Sequence, residues 1–175
     1  MLESQVNLIT GDRKSGRSML LLSLSEYIEK SGNKIYFVGA THEFKDSVRM
    51  LKGFSGYDFF NSSESNNLLI IEKINEIITK NNFSVLIVDD IDYLSDKIIN
   101  KLLELPIKKI VSCLYTKLDI FKVDFEEYKI SNEYDYTLMK NIQTLTNHNN
   151  TYLVDDIFKS FSRTEKINSI LDDKS

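Results

Sequence analysis

Short apolar runs rich in β-branched residues alternate with segments of helical spacing through the first two thirds of this 175-residue chain. The run Val85–Val88 is apolar at every position, as strands buried on both faces of a parallel sheet are. Residues 20–28, 68–78 and 94–105 instead place apolar side chains three or four apart, which predicts helices. This alternation predicts an α/β fold with a mainly parallel sheet flanked by helices. The predicted strands are Val6–Thr10, Lys34–Gly39, Val85–Asp89, Lys109–Tyr115, Tyr136–Lys140 and Thr151–Val154.

The last third of the chain differs from the rest. Its two predicted strands are joined by a short connection at Asn147–Asn150, which favours an antiparallel C-terminal extension of the sheet. Gly53–Asn67 and Asp119–Glu133 are interpreted as loops. With 42% hydrophobic and 27% charged residues, the composition is that of a folded soluble domain. We therefore predict one domain over residues 1–168 and a flexible tail over 169–175.

A glycine-containing loop follows the first predicted strand and opens the first helix. Gly11-Asp12-Arg13-Lys14-Ser15-Gly16-Arg17-Ser18 fits the pattern GxxxxGK[ST] at every fixed position except the lysine, which is Arg17. Such a loop wraps successive backbone N–H groups around phosphate oxygens, and the N-terminus of the helix adds its dipole. A hydroxyl at the last position, Ser18, would ligate magnesium. The alternative interpretation is a glycine-rich turn with no ligand.

Arg17 is the departure from this pattern. Lysine is a compact charge that reaches the outer phosphates, whereas arginine is longer, planar and always charged, so the replacement is not conservative. Arg13 and Lys14 lie in the same loop and are candidates to supply the missing charge, although solvated loop residues are the commoner case. Nucleotide binding is expected to survive the change, and hydrolysis is left open.

A second motif ends the Val85–Asp89 strand in carboxylates. Asp89, at the carboxyl end of a parallel strand, is placed to hold the water shell of magnesium. Asp90 is a candidate for the base that orients an attacking water, or for a group that supports Asp89. For Asp92, the capping of the following helix is the simpler interpretation.

On these two motifs the chain resembles P-loop NTPases, and its strand pattern is most similar to the RecA, DnaB-helicase and KaiC-like group of ATPase cores. The resemblance spans about residues 6 to 163. It implies a RecA-like core that binds ATP and Mg²⁺ through residues 11–18 and Asp89. Asp89–Asp92 also resembles the corresponding motif of AAA+ initiators and helicase loaders, but the C-terminal strands favour the RecA-like group.

The same resemblance implies further site residues. Members of the group carry a catalytic glutamate at or just beyond the second strand, where this chain has Glu43, although Thr41 falls nearer the family position. The strand before Thr116 resembles the group's sensor strand, which would direct Thr116 towards the terminal phosphate. Lys159 and Arg163 are candidates, by location alone, for a basic residue that reaches a neighbour's nucleotide. Self-association, or membership of a larger complex, is implied as well.

Composition limits the remaining function classes. A net charge of −4 does not favour a protein that neutralises many phosphates, so nucleic acid is an open but unsupported partner. A single cysteine, Cys113, excludes an internal disulfide, and with two histidines a structural metal cluster is not expected. No membrane span or secretion signal is apparent, so we expect a cytoplasmic protein, in the host cytoplasm if the source is viral.

Two functions from different classes fit these observations. The first is an ATPase in DNA replication, recombination or repair, with Glu43 or Asp90 orienting water. The second is a degenerate, non-hydrolysing RecA-like subunit with a structural or regulatory role. Intact Gly11, Gly16, Ser18 and Asp89 favour the first, and Arg17 favours the second.

Overall fold

The computed structural model describes residues 4–39, 56–60, 62–114, 118–119, 121–135, 137–138, 140–148, 150–157 and 159. These residues form eight strands in one sheet and three α-helices, and residues 154–157 after the last strand are helical as well. The strands are β1 (Val6–Thr10), β2 (Ile35–Gly39), β3 (Gly56–Phe59), β4 (Val85–Asp89), β5 (Lys108–Cys113), β6 (Glu126–Asp135), β7 (Lys140–Asn147) and β8 (Asn150–Leu153). The helices are α1 (Arg17–Lys30), α2 (Glu64–Asn81) and α3 (Asp96–Leu103), with a 3-10 turn at Ile91–Tyr93.

The strand order across the sheet is β3-β2-β4-β5-β1-β6-β7-β8. The five pairs from β3 to β6 are parallel, and the two pairs β6–β7 and β7–β8 are antiparallel. The predicted α/β class, with a mainly parallel sheet and an antiparallel C-terminal extension, is therefore confirmed. None of the helices in the described ranges is long and apolar enough to cross a membrane.

The sheet has an apolar core on each face. Along β2, Ile35 and Phe37 belong to one buried cluster, while Tyr36 and Val38 belong to the other. The first cluster contains the apolar face of α1, and the second contains those of α2 and α3. Because successive side chains of a strand point to opposite faces, the uninterrupted apolar strands fill both cores at once.

The sequence-based assignment is wrong in the last third of the chain. The predicted strand Tyr136–Lys140 covers a turn at residues 137–138, between the end of β6 and the start of β7. Most of β6 falls in the region interpreted as a loop, because its run EEYKISNEYD is polar apart from Tyr128 and Ile130 on the core face. The strand β3 was also interpreted as loop, since four residues at a sheet edge are too few to show a period.

The topology creates a crevice at the carboxyl ends of β1 and β5. The connection leaving β1 runs to β2, beyond β5 and β4, whereas the connection leaving β5 runs to β6 on the other side of β1. In open α/β sheets, ligands bind where the connections from adjacent strands diverge in this way. The loop 11–16 and the end of β4 both lie at this edge. The proposed domain limit at residue 168 and the tail 169–175 lie outside the described residues.

Candidate functional site

The loop between β1 and α1 has the backbone of an anion-binding turn. Lys14 and Gly16 both adopt left-handed conformations, with φ of 64° and 96°. The Ser15 N–H donates to the Asp12 carbonyl oxygen at 3.2 Å, which tightens the turn before the helix starts. Successive N–H groups in turns that mix left- and right-handed residues point into one concavity. The first N–H groups of α1, which have no intrahelical acceptor, lie at the same place.

Both motif glycines are required by their surroundings. A Cβ atom at Gly11 would lie 2.7 Å from the carbonyl oxygen of Ile130 on β6 and 2.8 Å from Ser15 Oγ. A Cβ atom at Gly16 would lie 2.3 Å from Nε2 of Gln143, which itself donates to the Ser15 carbonyl oxygen at 3.1 Å. The loop therefore packs directly on β6 and β7, and only glycine fits at these two positions.

Ser15 has a buried hydroxyl without a protein partner. The residue is 6% exposed, and its Oγ has no hydrogen-bond partner in the described part of the chain. This oxygen would lie 2.8 Å from a Cβ atom at Gly11, so it faces the first residue of the loop. A buried polar group without a partner costs free energy, so an acceptor placed next to this hydroxyl would be stabilising.

Arg17 is turned into the protein. Its guanidinium is 8% exposed and donates from Nη1 to the Gly11 carbonyl oxygen at 3.0 Å and from Nη2 to Asp90 Oδ1 at 3.1 Å. The side chain therefore joins the first residue of the loop to the residue after β4. In this structure its charge is paired with a carboxylate, and the role of Arg17 as a phosphate contact stays a prediction.

Ser18 and Asp89 lie together, as the two motifs predicted. Ser18 Oγ donates to Asp89 Oδ1 at 3.0 Å, and Ser112 Oγ of β5 donates to the same oxygen at 2.5 Å. Asp89 is 1% exposed, and burial raises the pKa of its carboxyl, against the two serine hydroxyls and the Arg17 charge, which lower it. One strand, β5, separates β1 from β4, so Ser112 fills the gap between the two motifs.

The two acidic residues after Asp89 have different surroundings. Asp90 adopts a left-handed conformation with φ of 50°, and its N–H donates to Ser112 Oγ at 2.7 Å. Asp92 Oδ1 accepts from the Leu114 N–H at 3.1 Å and so ties the end of β4 to the end of β5. The cap of α3 is Ser95, so the simpler interpretation of Asp92 as a helix cap is wrong.

Of the other predicted site residues, those that the structure describes do not join this cluster. Asp12, Arg13 and Lys14 are exposed at the loop surface. Lys159 pairs with Asp156 at 3.1 Å. Glu43, Thr41, Thr116 and Arg163 lie outside the described residues, so their assigned roles stay predictions.

Sequence reasoning missed two residues of the site, Ser112 and Gln143. Ser112 sits inside the apolar run of β5, where a polar residue that alternates with Val111 and Cys113 was the available signal. Gln143 lies 128 residues from Ser15, on a strand that was not predicted, and nothing local to it pointed to the loop.

A cavity lies at a different place in the fold. It measures about 950 Å³ and is lined by residues at the amino ends of β4 and β5, by the last turns of α1 and by β8. This is the opposite end of the strands from the loop 11–16, so the cavity and the polar cluster are separate features. No family model and no curated protein matches this chain.

Proposed function

We propose that this chain is a nucleotide-binding P-loop protein with a RecA-like core, which binds Mg²⁺-ATP at residues 11–18 and Asp89. The observation that carries the proposal is the buried, unpartnered Ser15 hydroxyl inside the loop. It lies in a turn with left-handed Lys14 and Gly16, beside the start of a 14-residue helix. A phosphate oxygen would accept from the Ser15 hydroxyl and from the converging N–H groups.

The residues present also fit magnesium. Mg²⁺ keeps several of its waters and takes one or two protein groups together with phosphate oxygens. Ser18 and Asp89 are already in contact at the mouth of the loop and would hold such an ion. Within the described ranges no cluster of three or more His, Cys, Asp or Glu side chains is placed to hold a metal. The proposed ion would arrive with the phosphates, whose charge it would neutralise.

One observation favours the second function, a non-hydrolysing RecA-like subunit. The Arg17 guanidinium and the Asp90 carboxylate, two charges that a hydrolytic site would use, are paired with each other. In that function the fold binds nucleotide without turnover. The self-association and the DNA-related process that the family resemblance implies remain proposals for either function.

Binding and turnover are tested separately. The wild-type chain is titrated with ATP in the presence and absence of Mg²⁺ by calorimetry, beside Ser15→Ala and Asp89→Ala. Losing a hydrogen bond to a charged group reduces affinity by about tenfold or more, which is the result expected for Ser15→Ala. Ser25→Ala is the matched control, because Ser25 is also buried but its hydroxyl already donates to the Leu21 carbonyl oxygen.

The outcomes separate the functions. Mg²⁺-dependent binding that Asp89→Ala abolishes supports the proposed site. Phosphate release by the wild type that Asp89→Ala also abolishes supports the ATPase, and binding without release supports the non-hydrolysing subunit. Absence of ATP binding by a folded wild type, or equal binding by Ser15→Ala and the wild type, contradicts the proposal.

A further inference from the structure

Arg17 stands at a junction of the loop and the acidic motif. Its two terminal nitrogens bind the Gly11 carbonyl oxygen and Asp90 Oδ1, and the side chain is nearly buried. A fork of this kind holds two partners in fixed geometry, which the ammonium of lysine does not do. Arg17 stands where the motif has lysine, and its charge is paired inside the protein with Asp90.

Asp90 is held in place from several directions. Its backbone is left-handed, its N–H is bound to Ser112 Oγ, and the residue before it is bound to both Ser18 and Ser112. The side chain of Asp90 is 15% exposed, so part of it still faces solvent. Arg17 is the longer and more adaptable member of the pair, and it is the member that can change partner.

A bound phosphate would compete with Asp90 for this guanidinium. Phosphate groups of a nucleotide carry more negative charge than one carboxylate, and they form strong charge-assisted bonds with arginine. The Arg17 guanidinium is already next to the loop, because its Nη1 lies 3.0 Å from the carbonyl oxygen of Gly11, the first residue of the loop. A small rotation of the long side chain would move the charge from Asp90 towards the loop.

From this geometry we propose that Arg17 and Asp90 form a latch that is closed in the empty protein and opens when phosphate enters the loop. Arg17 then exchanges the Asp90 carboxylate for the phosphate, so the ion pair between the two residues is lost in the loaded state. This inference rests on the proposed function, because it names the regulation of the same phosphate site.

The latch has a measurable effect on affinity. If the binding-competent state is a minor fraction of the empty protein, the apparent dissociation constant is the intrinsic constant divided by that fraction. Weakening the closed state without touching the loop should therefore tighten binding. Asp90→Asn does this, because a neutral amide holds a guanidinium less strongly than a carboxylate. We expect about tenfold tighter binding of Mg²⁺-ATP.

Two controls separate the latch from simple charge effects. Asp96→Asn makes the same substitution at an exposed acid in the first turn of α3 and is expected to leave affinity unchanged. Asp90→Asn is also made in the Arg17→Met background. If the gain comes from releasing Arg17, it disappears in that background. If it comes from removing negative charge near the phosphates, it persists, and the latch is wrong.

Arg17→Lys gives a second route if Asp90→Asn folds poorly. Lysine keeps the charge but cannot bridge Gly11 and Asp90 as a fork, so this variant is also expected to bind more tightly than the wild type. Weaker binding by Arg17→Lys, in a protein with a native circular dichroism spectrum, would overturn the latch.

The unliganded proteins provide a readout that needs no nucleotide. Urea unfolding of the wild type, Arg17→Met, Asp90→Asn and the double variant should show coupling between the two residues, and saturating Mg²⁺-ATP should abolish it. No coupling in the empty protein, or coupling that nucleotide leaves unchanged, overturns the latch. Tighter binding by Asp90→Asn than by the wild type, together with coupling that nucleotide abolishes, supports it. If neither the wild type nor any variant binds nucleotide, the proposed function is wrong, and the latch is wrong with it.

Discussion

We expect the buried Asp89 carboxylate to lower the free energy of unfolding. Burial raises its pKa, and the hydroxyls of Ser18 and Ser112 offset only part of that effect. Asp89→Asn removes the buried charge and keeps an oxygen that both hydroxyls can reach. We therefore expect the free energy of unfolding at pH 7 to rise by about 1 kcal/mol, while Mg²⁺-dependent nucleotide binding is lost. Urea denaturation and calorimetric titration measure the two effects.

The gain in the free energy of unfolding expected for Asp89→Asn should depend on pH in one direction. A carboxyl whose pKa is raised on folding stabilises the protein only while it is protonated, and that contribution is lost as the pH rises through the folded pKa. The advantage of Asp89→Asn should therefore shrink as the pH falls and should be lost below about 4, where Asp89 becomes neutral in both states. A gap that stays constant, or widens on acidification, would show that burial of the charge is not its cause.

Lys109 carries a second buried charge, far from the loop. Its ammonium donates to the carbonyl oxygens of Leu105 and Ile107 at 2.6 and 2.7 Å, and burial lowers its pKa to about 8. Above that pH the folded protein releases the proton before the unfolded chain does, so stability should rise with pH. Relative to Lys109→Met, the increase between pH 8 and 10 is at most about 1.4 kcal/mol per pH unit.

The comparison with Lys109→Met is needed because other groups titrate in the same range. Burial raises the pKa of the Cys113 thiol to about 12, and this group acts in the opposite direction as the pH rises. Both proteins contain Cys113, so its contribution cancels in the difference between the two urea curves. A difference that falls between pH 8 and 10 would contradict the assignment to Lys109.

At the scale of elements, the loop depends on β7 as well as on its own sequence. Gly16 and Gly32 both have positive φ, but only Gly16 has a neighbour in the path of a Cβ atom, the Gln143 amide. Gly16→Ala should therefore destabilise the protein by about 1 kcal/mol more than Gly32→Ala. Both variants force alanine into a left-handed backbone, but only Gly16→Ala also displaces the Gln143 amide.

The cause of that difference is tested by a double variant. Removing the obstructing side chain with Gln143→Ala should recover most of the excess cost in the Gly16→Ala background, measured by urea denaturation. Equal destabilisation by the two glycine variants would mean that Gln143 moves aside freely and does not shape the loop.

The sequence predicted the elements whose local pattern is strong. β1, α1 and β4 came from apolar periods and from glycines at fixed spacing, and the contact between Ser18 and Asp89 followed from the parallel order of strands. The mostly polar residues of β6, and the turn at residues 137–138 that follows this strand, gave no comparable signal. The ion pair of Arg17 with Asp90 was not predicted, because the two residues are 73 positions apart and no local pattern relates them.

For the whole molecule, β1 is the strand that joins two differently built halves. It pairs with β5 of the parallel part and with β6, which begins the antiparallel part. The loop that follows β1 contacts Ile130 of β6 and Gln143 of β7 and is tied through Ser18 to the end of β4. A ligand in this loop therefore contacts both halves at their junction.

We expect the two halves to unfold as one unit and to be stabilised equally by nucleotide. β2 and β7 are interior strands on opposite sides of β1, so the slowest-exchanging amides of each should report the same free energy of unfolding by hydrogen exchange. Mg²⁺-ATP at 100 times its dissociation constant should raise both values by about 2.7 kcal/mol. The Asp89→Ala variant, under identical conditions, should show no rise. A ligand effect confined to β2 would mean that β7 and its Gln143 contact open independently of the phosphate site.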